Sequence, residues 1–128
     1  MIYYEDLLNV PYKPHGRNPQ EGFDCIGLLL YCVKRAGKVM HDPHYDRLKV
    51  PVEAIKDYIY KGVNVREITG PRADALVSFS SKSFFHCGYL IDKRSVLHTT
   101  PQFGVRLSSL AGMNPAGFYE VVDESNMV

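Results

Sequence analysis

An apolar helix that opens on a cysteine is the feature that most constrains this chain. Residues 22–37 read GFDCIGLLLYCVKRAG. Asp24 is a good N-cap residue, because its carboxylate can accept hydrogen bonds from the free amides of a first helical turn, and Gly37 favours a left-handed stop. The pattern therefore predicts a buried helix from about Cys25 to Ala36 that is apolar around most of its circumference.

Cys25 begins this predicted helix, and we expect it to lie at an open mouth of the fold. The positive end of the helix dipole and the unpaired N–H groups favour the thiolate over the thiol at such a position. The same amides can stabilise an oxyanion. Cys25 is therefore predicted to be a nucleophile, the alternative being a small buried residue without chemistry.

Composition excludes several classes of function. A chain of 128 residues is predicted to form one domain with a single core. A net charge of +1 without a long basic run gives no electrostatic case for a nucleic acid or an anionic membrane as partner. Three cysteines, an odd number, argue against a disulfide-stapled secreted module.

Nothing in the sequence predicts membrane insertion or secretion. No segment approaches the ~18 consecutive apolar residues of a membrane-spanning helix. The first residues, MIYYED, lack the basic region and the apolar core of a secretory signal peptide. A protein of this kind that acts outside the cell would need another carrier.

The chain is helix-rich in its first half and strand-rich in its second. Residues 2–9 favour a short helix that ends before Pro11, and residues 51–61 favour another with a proline at its first position. Short strands are predicted at residues 63–68, 75–79, 85–91, 95–99, 105–107 and 118–122. The prediction is an α+β fold with N-terminal helices packed on a five- to six-stranded antiparallel sheet.

Two histidines on neighbouring predicted strands complete a recognisable pattern. Gly-Phe-Asp-Cys-x-Gly-Leu heads the helix, His86-x-Gly88 begins one strand, and His98 follows on the next. In that order these motifs resemble the NlpC/p60 family, the papain-like cysteine peptidases and amidases that cut bacterial cell-wall peptides. The resemblance covers most of residues 10–110 and implies a papain-like fold with the nucleophile at the start of a central helix.

The resemblance assigns three catalytic roles. Cys25 would be the nucleophile, His86 the base and then the acid, and His98 the third polar residue that orients His86. The chemistry needs all three, because a free thiol is only a few per cent thiolate at neutral pH and the imidazole that accepts its proton must keep one orientation and tautomer. A structural role for either histidine is the alternative.

Three residues near the nucleophile are predicted to shape the substrate and oxyanion site: Tyr12, Asp24 and Ile26. Pro11-Tyr12, in a long loop over residues 10–21, resembles the family's Pro-Tyr, whose hydroxyl points into the active site; the alternative is a packing tyrosine with a solvated hydroxyl. Ile26 replaces the family's commonest serine and would make one wall of the pocket apolar.

Two other segments bear on the resemblance. Ala73 and Ala75 stand where the family's Pro-x-Gly-Asp-Leu segment has glycine and leucine, so the turn geometry there departs from the family pattern. Asp-Cys-Ile-Gly-Leu, with residues 15–19 upstream, looks like the phage and prophage tail-associated branch. That branch implies tail proteins as partners and a location in the virion tail or the cytoplasm of the producing cell, with the bacterial cell wall as target.

No cofactor or metal is implied. His41 and His44 are three apart across Pro43, so they do not share a helical face, and no third ligand lies at matching spacing. The predicted function is hydrolysis of an amide in a peptidoglycan stem peptide through a thioester. Two alternatives stay open: a structural tail component with little or no catalysis, and a thiol acyltransferase or amidase acting on another substrate.

The spacing of the two histidines also predicts a register. A three-residue loop over residues 92–94 would place Ile91 opposite Ser95 and His98 opposite Gly88. His86 and His98 would then be diagonal neighbours, within reach of a hydrogen bond. We expect this pair on the sheet face that meets the Cys25 helix.

Overall fold

The computed structural model describes residues 1–42, 64–79 and 86–122. Its helices are a 3-10 turn at Glu5–Leu7 and the helix α1 at Cys25–Arg35. Its strands are β1 (Arg17–Asn18), β2 (Gly22–Phe23), β3 (Val65–Ile68), β4 (Leu76–Phe79), β5 (His86–Leu90), β6 (Ser95–Thr100), β7 (Gly104–Ser109) and β8 (Pro115–Val121). The predicted helix over residues 51–61 and His44 lie outside the described residues.

The strands β3 to β8 form one antiparallel sheet in the order β3-β8-β4-β5-β6-β7. With α1 packed against it, this is the predicted α+β architecture, and the predicted antiparallel sheet is confirmed with six strands. β5 and β6 are neighbours near its centre. The two strands that carry His86 and His98 are therefore paired directly.

Helix α1 begins and ends nearly as predicted. The Asp24 carboxylate accepts a hydrogen bond from the Gly27 amide at 2.7 Å, which makes Asp24 the N-cap. Gly37 has φ +82°, and the Lys38 amide donates to the Val33 carbonyl at 3.1 Å, so a left-handed glycine closes the helix.

The two faces of the sheet carry two separate apolar clusters, because side chains alternate along a strand. The helix-side cluster joins α1 to the sheet and contains Leu28, Leu29, Cys32, Cys87, Tyr89 and Leu97 among others. The far-side cluster contains Ala75, Val77, Phe79, Leu90 and Val96. The side chains of Cys87 and Tyr89 lie on the helix side of β5. His86 directly precedes Cys87, so its side chain lies on the far side of the sheet.

The N-terminal segment covers an edge of the sheet. Asn9 donates its amide to the Val105 carbonyl at 2.8 Å, and the Val105 amide donates to the Val10 carbonyl at 2.9 Å. The predicted helix over residues 2–9 is therefore reduced to the Glu5–Leu7 turn, because Leu8 and Asn9 form a turn, with Asn9 at φ +70°, and the backbone of Asn9 and Val10 then pairs with β7.

The turn before β4 contains Ala73, where the family pattern has glycine. Asp74 takes the left-handed conformation at φ +66°, and its amide donates to the Leu90 carbonyl at 2.8 Å. The Tyr89 hydroxyl donates to the Asp74 carboxylate at 2.7 Å, which fixes this turn against β5. Aspartate tolerates the left-handed region better than most residues, so the local sequence suits the turn.

Candidate active site

The hairpin between β5 and β6 has the predicted register. Tyr89 pairs with Leu97, Leu90 pairs with Val96, and the Ile91 amide donates to the Ser95 carbonyl at 3.0 Å. The Asp92 carboxylate accepts hydrogen bonds from the Arg94 and Ser95 amides, each at 2.8 Å, and so holds the loop over residues 92–94. The predicted three-residue loop is confirmed.

The two histidines are in contact as this register requires. His86 Nε2 lies 3.0 Å from His98 Nδ1, and the two rings meet edge to face with their centroids 5.2 Å apart. The predicted hydrogen-bond contact between the imidazoles is confirmed. The Phe79 ring lies beside His86, with the centroids 5.3 Å apart, so part of the imidazole is shielded from water.

Ser108 extends the pair to a chain of three side chains. His98 Nε2 lies 2.8 Å from Ser108 Oγ on β7. Ser108 is not among the residues predicted from the sequence. Val96 pairs with Ser108 and His98 with Arg106, so all four side chains lie on one face, and this register depends on how β7 pairs with β6.

Burial keeps both imidazoles neutral near physiological pH. Loss of hydration, and then repulsion from His98, lowers the pKa of His86 to about 4. Burial and the Arg106 guanidinium lower the pKa of His98 from its ordinary value. A neutral imidazole retains a lone pair, so His86 is in the form that can accept a proton.

Cys25 begins α1, but two details of its predicted setting are wrong. Its side chain is only 4% exposed and belongs to the helix-side cluster, so it does not lie at an open mouth. The histidine pair lies on the far side of the sheet and not on the face that meets α1. A contact between the Cys25 thiol and His86 stays a prediction.

Comparison with known proteins adds a fold-level likeness. No protein-family model and no curated protein sequence matches the chain. A lipoprotein-like NLP/P60 family protein from Staphylococcus aureus superposes with a TM-score of 0.61 and 19% identity, covering 91% of this chain and 38% of that protein. The NlpC/p60 domain of the peptidoglycan hydrolase SagA gives 0.58 and 19%, covering 91% of each chain.

The chain has the NlpC/p60 fold. The chain spans well under half of the staphylococcal protein but nearly all of the SagA domain. This NlpC/p60 fold places a cysteine at the head of the central helix and a bonded histidine pair on adjacent strands, as the sequence motifs predicted.

A buried ion pair supports the head of α1. Asp24 is fully buried and accepts hydrogen bonds from the Gly27 amide at 2.7 Å, the His15 amide at 3.1 Å and Arg17 Nη1 at 2.8 Å. Arg17 also binds the Asp42 carboxylate through Nε at 2.9 Å and Nη2 at 3.2 Å. The Asp24 carboxylate thus caps the start of α1. The positive charge of Arg17 offsets the negative charge of Asp24, which lies next to Cys25 in the chain.

The first turn of α1 also contains the backbone amides that are candidates for binding an oxyanion. The Gly27 amide donates to the Asp24 carboxylate, and the Leu28 amide donates to the Asp24 carbonyl at 3.0 Å. The two earlier amides of the turn, those of Cys25 and Ile26, are therefore the candidates for stabilising negative charge on a substrate oxygen.

The remaining predicted residues lie close to the nucleophile in the chain. Tyr12 is half-buried and its backbone forms a bridge with Phe23, two residues before Cys25, so the segment runs beside the helix start. Ile26 is 1% exposed and packs in the helix-side cluster. The Ile26 side chain therefore packs inside the fold, and contact of either side chain with substrate stays a prediction.

Within residues 1–42, 64–79 and 86–122, no group of three or more His, Cys, Asp or Glu side chains is placed to hold a metal ion. In that same part of the chain, no helix is long and apolar enough to cross a bilayer. All three cysteines are free thiols.

Proposed function

We propose that this protein is a cysteine peptidase or amidase that hydrolyses an amide bond in peptidoglycan stem peptides. The observation that carries the proposal is the hydrogen bond between His86 and His98 on a fold that places Cys25 at a helix start. The likeness to the SagA domain, which belongs to a peptidoglycan hydrolase, supports this substrate class.

The proposed reaction begins with proton transfer from the Cys25 thiol to His86. The thiolate attacks the scissile carbonyl carbon, and the amides of the first α1 turn stabilise the oxyanion. The His86 imidazolium then protonates the leaving amine, which departs and leaves a thioester on Cys25. His86 next takes a proton from water, which cleaves the thioester and releases the acid. Burial favours the neutral form of His86, so its imidazolium gives up the proton readily.

Digestion of purified peptidoglycan tests the proposed activity. Mass spectrometry should find fragments with one new amine and one new carboxylic acid inside the stem peptide. Cys25→Ala and His86→Ala should abolish these fragments, whereas Cys32→Ala, at a buried cysteine within α1, should retain them if it folds. Release of the same fragments by Cys25→Ala, or their absence with wild-type protein, would contradict the proposal.

Alkylation separates this enzyme from a structural component with the same fold. We expect iodoacetamide to modify Cys25 several-fold faster in the wild-type protein than in His86→Ala at neutral pH, because His86 accepts the thiol proton. His15→Asn, at an exposed histidine, is the matched control and should keep the wild-type rate. Equal rates in wild type and His86→Ala would favour the structural component.

We also propose a phage or prophage tail as the carrier of this activity. The support is in the sequence alone: the Asp-Cys-Ile-Gly-Leu motif at the nucleophile and residues 15–19 ahead of it. Mass spectrometry of purified particles from a producing strain should detect the chain in tail fractions. Its recovery only from the soluble cell fraction would argue against this carrier.

A further inference from the structure

Both ring nitrogens of His98 are engaged by side chains. Nδ1 lies 3.0 Å from His86 Nε2, and Nε2 lies 2.8 Å from Ser108 Oγ. The His98 side chain is buried, with 7% exposure, so each contact is protected from competition with bulk water. These two contacts, made from two different strands, fix the orientation of the ring.

The proposed role of His86 as a base determines which ring nitrogens of His86 and His98 must carry a hydrogen. In the proposed reaction His86 takes the proton of the thiol, and because its Nε2 contacts His98 the nitrogen assigned to accept that proton is Nδ1. A neutral imidazole has one N–H and one lone pair. His86 must therefore carry its hydrogen on Nε2 and donate it to His98 Nδ1, and His98 must then carry its own hydrogen on Nε2.

We propose that Ser108 is a positioning residue of the catalytic site, whose hydroxyl oxygen accepts the His98 Nε2 hydrogen and so keeps the lone pair of His86 Nδ1 available to the thiol. The proposal rests on the proposed function of Cys25 and His86. In the opposite tautomer, His98 would donate from Nδ1, His86 would hold its hydrogen on Nδ1, and His86 could not act as the base.

The surroundings of His98 favour a neutral ring held by a neutral partner. Arg106 lies directly opposite on β7, and its guanidinium sits 4.6 Å from the centroid of the Phe103 ring. The groups that face His98 from β5 and β7 are thus His86, Arg106 and Ser108, one of which is a cation. Positive charge here disfavours an imidazolium, so His98 acts through its hydrogen bonds.

A matched pair of variants tests the hydroxyl. Ser108→Thr keeps the oxygen, whereas Ser108→Val has nearly the same shape as threonine without it. We expect Ser108→Val to lower kcat about tenfold with little change in KM, the scale of one lost hydrogen bond. Ser108→Thr should stay within about twofold of wild type. Equal kcat values for the two variants would overturn the proposal.

Nitrogen-15 NMR of the imidazoles gives a second readout that a merely structural role would not change. In the wild-type protein at pH 7, both His86 and His98 should carry hydrogen on Nε2, and Ser108→Val should populate the Nδ1-protonated form. A wild-type His98 that is protonated on Nδ1 would overturn the proposal. This measurement also decides the matter if Ser108→Val does not fold.

The alkylation rate of Cys25 is measured without peptidoglycan. It therefore tests the role of Ser108 independently of the proposed substrate. Slower alkylation of Ser108→Val than of Ser108→Thr across pH 5 to 8 would support the role of Ser108 even if wild-type protein released no stem-peptide fragments. Peptidoglycan cleavage by the wild type with equal alkylation in the two variants would overturn the role of Ser108 alone.

Discussion

Cys25 differs from the other two cysteines by its place on a helix and not by its exposure. The exposed fractions are 4% for Cys25, 0% for Cys32 and 3% for Cys87, so all three thiols are buried. Cys32 lies two turns inside α1, where burial raises its pKa to about 12. Of the three cysteines, Cys25 alone is the first residue of a helix, next to the backbone amides of the first turn.

We therefore expect a single fast-reacting thiol in the folded protein. Iodoacetamide should modify Cys25 at least ten times faster than Cys32 or Cys87, as measured by peptide mapping over time. The Cys25→Ala variant should lose the fast phase and keep the two slow ones. Modification of Cys32 or Cys87 ahead of Cys25 would show that the nucleophile has been assigned wrongly.

At this scale the sequence predicted the residues that a motif or a local turn specifies. His86 and His98 were identified because they match the strand motifs of the family, and the three-residue loop over residues 92–94 then predicted their contact. Ser108 was missed because its contact depends on how β7 pairs with β6, and no short-range signal sets that pairing. The burial of Cys25 was also missed, since burial depends on how the whole helix packs.

At the scale of elements, the start of α1 is anchored by Arg17. Its guanidinium joins the buried Asp24 carboxylate, at the helix N-cap, to Asp42 beyond the helix end. Removing the cation would leave Asp24 buried beside Cys25 with an uncompensated negative charge. The stability of the helix start and the reactivity of the thiol should therefore change together.

Arg17→Gln should lower the free energy of unfolding by about 1–3 kcal/mol in urea denaturation, the scale of a lost charged hydrogen bond. It should also slow Cys25 alkylation, because a nearby negative charge disfavours the thiolate. Arg66→Gln is the matched control, since exposed Arg66 pairs with Glu120 at the sheet edge and its loss should cost less than about 1 kcal/mol. Equal destabilisation by both substitutions would contradict the role given to Arg17.

Elements with a strong local pattern were predicted well, and those set by distant contacts were not. α1 and the strands of the hairpin follow their apolar spacing and turn residues. The segment over residues 10–21, predicted to be a loop, contains β1, which pairs with β2 just beyond it; each strand is two residues long, too short to show a periodic pattern. Buried Asn64 binds the carbonyls of Val39 and Val122, partners 25 and 58 residues away, which no sequence window could predict.

At the scale of the whole molecule, the sheet separates the helix-side cluster from a far side that carries the histidine pair. His86 and His98 lie on that far side next to apolar neighbours such as Phe79. Their environment favours the neutral imidazoles that a base needs. The same environment makes protonation costly for the folded state, so the site links catalysis to the pH dependence of stability.

The linkage between the pKa of His86 and the stability of the fold has a definite sign. His86 has a pKa of about 4 in the folded protein, against 6.5 for an ordinary histidine. Between these two pH values the unfolded chain binds a proton that the folded chain does not, so unfolding becomes more favourable as pH falls. Above pH 6.5 both states are neutral at His86 and the contribution to stability is complete; His98, whose pKa is also lowered, acts in the same direction.

We therefore expect the free energy of unfolding to fall between pH 7 and pH 4.5, with His86 contributing on the order of 2 kcal/mol after allowance for its partial exposure. Urea denaturation at several pH values measures this, and His86→Gln should show a clearly smaller fall because glutamine does not titrate. His15→Asn should keep the wild-type slope, since the His15 side chain is exposed. Carboxylates add to the acid sensitivity of all three proteins alike, so the difference between variants isolates the imidazole. An identical slope in wild type and His86→Gln would mean that the folded protein does not lower the pKa of His86. The argument that its surroundings keep this imidazole neutral would then be wrong.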